Sequence, residues 1–119
     1  MTNLASTAPH IHGATATLDL ADWGAQPDAV AGDSRSTGRL LHKGPGNSPE
    51  SGIWVCTPGT WRLDIPRDEF CHFVAGRALY THDDGSTVEV SPGTVVLFPA
   101  GWRGTCTVRE TIRNLYMLV

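Results

Sequence analysis

From residue 38 onward the chain is cut into short apolar runs by turn-forming pairs and triplets, and no run has room for more than a strand. Pro58-Gly59 is a turn pair, Asp83-Asp84-Gly85 is a hairpin tip that offers glycine for a positive φ, and Ser91-Pro92-Gly93 and Pro99-Ala100-Gly101 each reverse the chain. Strand-like runs lie between them at 52–57, 60–65, 69–75, 77–82, 87–90, 94–98, 105–108 and 113–119. Arg39-Leu40-Leu41-His42 precedes them, separated by a loop of turn formers over 43–49. Eight or nine short strands without helical periodicity predict an all-β barrel or jelly roll.

The N-terminal part has another character. Residues 1–37 are rich in Ala, Thr, Gly, Asp and Pro and show neither alternation nor helical spacing beyond a turn near Asp22-Trp23-Gly24, so they read as an irregular arm, with the barrel over 38–119. A chain of 119 residues builds one continuous core but not two. Its final run, Asn114-Leu115-Tyr116-Met117-Leu118-Val119, reads as a strand paired inside the sheet.

Composition narrows the partners. Apolar residues at 40% and charged residues at 18% are ordinary for a folded domain. The net charge is −3 and the nine Lys and Arg residues are scattered, which argues against a nucleic-acid partner. No window approaches a membrane span, and residues 1–20 hold no apolar stretch of signal-peptide length, so the expectation is a cytoplasmic protein with no membrane partner. The odd number of cysteines, Cys56, Cys71 and Cys106, each inside an apolar run and without a CxxC pair, predicts buried free thiols. A long arm and open sheet edges that need covering predict a homodimer.

Two stretches resemble the motifs of the cupins. Glu69 is followed by six residues and then Gly76, like the end of the first motif; Gly93, five residues on, meets Pro99-Ala100-Gly101, like the start of the second. More narrowly, Gly52-Ile53-Trp54, Pro58-Gly59, Asp68-Glu69-Phe70, Gly76-Arg77 and Phe98-Pro99-Ala100-Gly101-Trp102 are similar to the small cupins grouped with ureidoglycine aminohydrolase and the ethanolamine-utilisation cupin. The resemblance covers about residues 38–119 and implies a cupin-type double-stranded β-helix, a jelly-roll barrel, with an irregular N-terminal arm. It also implies metal ligands, and these are missing. Counting back from Glu69 with four intervening residues, the two histidines should stand at 62 and 64, where this chain has Arg62 and Asp64; the other count falls on Leu63 and Ile65. The third should stand at 104, where there is Gly104. No metal and no other cofactor is therefore expected.

The candidate site follows from strand parity. Alternation places Glu69, Cys71 and Phe73 on one face and Phe70 and His72 on the other, and the resemblance makes the first face the interior. Glu69 is the candidate acid or base, with Trp54, Arg62, Asp64, Cys71, Trp102 and Tyr116 lining a ligand pocket. Arg62 reads either as a ligand-facing partner of Glu69 or as half of an internal salt bridge. His10-Ile11-His12 has a chelating spacing but no fold around it. Three functions fit: a barrel that binds a small amino, ureido or carboxylate compound with metal-free catalysis, a binding or accessory module without turnover, and a metal enzyme with atypical ligands.

Overall fold

The computed structural model describes residues 8–119, so residues 1–7 of the predicted arm lie outside the described residues. Nine strands follow one another: β1 (Ala21–Ala25), β2 (Ala29–Ala31), β3 (Arg35–Lys43), β4 (Glu50–Cys56), β5 (Gly59–Ile65), β6 (Glu69–His82), β7 (Thr87–Val90), β8 (Val95–Phe98) and β9 (Trp102–Leu118). They form one curled antiparallel sheet, the all-β barrel expected of the sequence.

The long strand β9 joins its parts. One edge of β9 pairs with β5 over residues 102–108 and with β4 over 112–118, while the other edge pairs with β6 from His82↔Gly104 to Glu69↔Leu118. The far edge of β6 carries two short partners, its hairpin neighbour β7 along the second half and β8 along the first. Outside β4 lie β3 and then β1, and outside β5 lies β2. Alternate residues of the central strands turn inward, and Trp61, Phe73, Tyr80, Phe98, Val108 and Ile112 close the core between them.

Two pairs of predicted strands are each one strand. Runs 69–75 and 77–82 are both β6, and runs 105–108 and 113–119 are both β9. What reads in sequence as a break is a series of register shifts between Phe73 and Ala78, centred on Gly76 at φ +85°. A Cβ there would run into the backbone of Thr111, so only glycine fits the bulge.

The predicted arm is more regular than its composition suggests. Residues 21–25 and 29–31 are strands, and β3 begins at Arg35, not Arg39. The expected turn at Asp22-Trp23-Gly24 is a bulge inside β1, where the register to β3 slips. That bulge breaks the alternation, and β2 is three exposed residues held by backbone pairing to β5, so neither leaves an apolar pattern to read. Upstream of β1, residues 8–20 lie on the outer face of the barrel, where the buried Arg113 guanidinium donates to Ala14 O at 3.1 Å and Thr17 O at 2.8 Å. Among the described residues no helix is long and apolar enough to cross a membrane.

Candidate functional site

At the end of the barrel where β4 and β6 begin and β9 ends lies a cavity of about 330 Å3. Its walls are Trp54, Trp61, Leu63, Ile65, Tyr80, Phe98, Tyr116 and Leu118, with Trp23 at the side, and its acidic lining groups are Glu50, Glu69 and Asp64. An apolar wall with few polar groups is the usual make-up of a small-molecule pocket.

Glu69 opens β6 and faces the interior, paired in register with Leu118 on one side and Phe98 on the other. Burial pushes its carboxyl above the ordinary 4.5, and the nearby Glu50 adds to the rise, while the Cys71 thiol, donating to Oε2 at 3.3 Å, partly offsets it. Glu50, the first residue of β4, pairs with Leu118 from the opposite edge. The two acids are thus two strand spacings apart, roughly 10 Å along the sheet, on one concave face. Tyr116 O–H donates to Glu50 Oε2 at 2.9 Å, and burial followed by this bond pushes the phenol well up.

The structure brings Glu69, Trp54 and Tyr116 together at this cavity. Cys71 stands beside Glu69 but is fully buried, and burial raises its thiol far above the ordinary 9.0, the reverse of an activated nucleophile. Trp102 packs behind the wall, its ring 5.1 Å from those of Phe98 and His82, and does not line the cavity. Asp64 reaches only the rim, its side chain exposed and ion-paired with Arg103 at 3.5 Å.

Arg62 corrects the sequence reading. Trp61, Leu63 and Ile65 are the inward residues of β5, so Arg62 points outward and never meets Glu69. Its guanidinium instead forks onto Asp83, with bonds of 2.8 and 3.2 Å. The reason is parity: β5 ends facing the core with Ile65, and Arg62 lies an odd number of residues from it.

Sequence reasoning missed Glu50 and Trp61. A signal existed for Glu50, which shares the parity of Trp54 on β4; for Trp61, the error was the inverted parity that turned Arg62 inward.

A cupin metal does not fit this donor set. The inward positions of β5 are apolar, and a Cβ at Gly104 would strike the backbone oxygen of Thr81, so no side chain enters there. Among the described residues no three His, Cys, Asp or Glu side chains gather closely enough to hold an ion.

A family model for the EutQ-like cupin domain matches residues 43–116. Among solved structures, a protein of unknown function of the DUF861 family from Pseudomonas syringae pv. tomato is similar with a TM-score of 0.76 and 17% identity, over 84% of this chain and 44% of that one. The chain thus spans less than half of that relative's length. The EutQ protein of Clostridium difficile is similar with a TM-score of 0.62 and 20% identity, over 71% of this chain and 68% of that one. A DUF861 family protein from Thermotoga maritima is similar with a TM-score of 0.55 and 28% identity, over 56% of this chain and 76% of that one. No curated protein matches the chain.

Proposed function

The chain belongs to the EutQ-like cupin family, and from that premise we propose that its barrel binds a small polar molecule and that Glu69 exchanges a proton with it without a metal. The observation that carries the reading is a buried carboxyl in the wall of an open, aromatic-lined cavity, bonded to a neutral thiol and to no cation. A carboxyl raised in this way holds its proton more readily than a free one, which a general acid requires. Arg62 takes no part, so the site lacks the cation that a bound carboxylate would seek on that strand.

The same proposal sets the protein in the cytoplasm, where three buried thiols stay reduced, and pairs it with a second copy. The outer face of β6, β8 and β9 supports the pairing: Phe70 stands in register with Leu97 on one side and Met117 on the other, all exposed.

Calorimetric titration with small amines, ureas and carboxylates, repeated in buffers of different ionisation enthalpy, tests the site. We expect saturable binding by at least one class, weakened in Trp54→Ala, with proton exchange that disappears in Glu69→Gln. Binding without proton exchange would leave a pure binding module and remove the role of Glu69; no binding by any class would overturn the reading.

A further inference from the structure

We propose that the ligand of this cavity is an organic ammonium ion, held between the carboxylates of Glu50 and Glu69 against the faces of Trp54 and Trp61. This rests on the cavity being a binding site, and it narrows the ligand to one charge and one chemical class.

The acids enter from opposite sides of Leu118 and share one concave face. Each has a neutral partner only, the Tyr116 hydroxyl for Glu50 and the Cys71 thiol for Glu69. Among the described residues neither is ion-paired to a cation. Arg67 is the one cationic side chain lining the cavity among the described residues, and its donors go to the carbonyls of Asn47, Leu118 and Val119. Two like charges facing one apolar space repel each other, and a cation between them relieves that cost. An anionic ligand would add to this repulsion.

The walls select an organic cation. Trp54 and Trp61 meet edge to face with ring centroids 6.2 Å apart, and indole is the side chain that best receives an ammonium group. A bare divalent ion, by contrast, would find two carboxylates and no third ligand.

An ammonium ion brings up to three donors and no acceptor, the complement of two carboxylates that face one cavity.

The test titrates the protein with n-butylammonium, tetramethylammonium, n-butyrate and n-butanol, followed by tryptophan fluorescence and calorimetry. The expected result is saturable binding of the two cations, at least tenfold weaker in Glu50→Gln and retained in Glu50→Asp, with butyrate and butanol at least tenfold weaker than butylammonium. Glu50→Gln keeps the side-chain volume, and circular dichroism checks that it folds; should it not fold, Glu50→Asp and Trp54→Phe carry the comparison. Preferential binding of butyrate or butanol overturns the ammonium assignment while keeping the cavity as a binding site. Affinity for butylammonium unchanged by loss of the Glu50 charge also overturns it. Binding by none of the four overturns the assignment and counts against the cavity reading together.

Discussion

The Cys71 thiol donates to Glu69 Oε2 across 3.3 Å, two residues along one inward face of β6, so the buried carboxyl of this barrel is answered by a weak neutral donor in place of the Arg62 cation that the sequence predicts. This sets the direction of its effect on stability. Its pKa is raised in the folded state, above the ordinary 4.5, so the folded protein holds the proton more tightly than the unfolded chain. The contribution is therefore fully present below about 4.5 and is lost as the pH rises through the folded-state value. Glu69→Gln should melt higher than the wild type at pH 7, and the difference between the two should shrink on acidification. The slope attributable to one proton is at most about 1.4 kcal/mol per pH unit. Chemical denaturation of both proteins from pH 4 to 8 measures it, and a variant less stable than wild type at pH 7 would refute the account.

Gly104 and Gly76 are held by backbone on the opposite strand, Thr81 and Thr111 respectively. Alanine at either should destabilise by about 2 kcal/mol or more, since the obstructing atoms belong to the sheet and cannot swing aside. Gly104→His, which writes the missing family histidine back into the sequence, should unfold the barrel sooner than bind a metal. Melting curves with and without added zinc decide this.

All three thiols are buried, and burial pushes Cys56 up to about 11 and Cys106 up to about 12, with Cys71 higher. At pH 8 the native protein should react with a disulfide reagent at least a hundredfold more slowly than the protein in denaturant, because the thiolate is the reacting species. Release of the chromophore with time reads the ratio. Fast labelling of one thiol in the native state would show that its strand opens.

If Phe70, Leu97 and Met117 seat a second copy, light scattering at micromolar concentration should give twice the 12.8 kDa of one chain. Leu97→Glu should return the mass to that of a monomer while leaving ligand binding unchanged, since Leu97 faces away from the cavity. A monomeric wild type would end this assignment.

The barrel was legible in the sequence because turn chemistry is local: Pro58-Gly59, Asp83-Asp84-Gly85 and Pro99-Ala100-Gly101 act on their own backbone whatever surrounds them. Glu69 was legible because Phe70 and His72 alternate against Cys71 and Phe73 over enough residues to fix the inward face. Arg62 was misread since a strand's parity is set by what it packs on, and Trp61, Leu63 and Ile65 are the inward set only once β9 lies beside them. The strands at 21–25 and 29–31 were invisible for a related reason. They are edge strands held by backbone pairing, and backbone pairing leaves no mark in the order of side chains.

The place of β9 has a consequence for the order of events in synthesis. β4, β5 and β6 each take β9 as a neighbour, yet β9 starts at Trp102 and so emerges from the ribosome after all three. Until it arrives, β5 has only the three-residue β2 beside it, and β6 has only the short β7 and β8. The pairings that join the parts of the sheet therefore form late and together, which predicts a slow, cooperative closure with strand edges exposed beforehand. A nascent chain arrested before residue 102 should be captured by chaperones, while one arrested with β9 clear of the exit tunnel should resist protease.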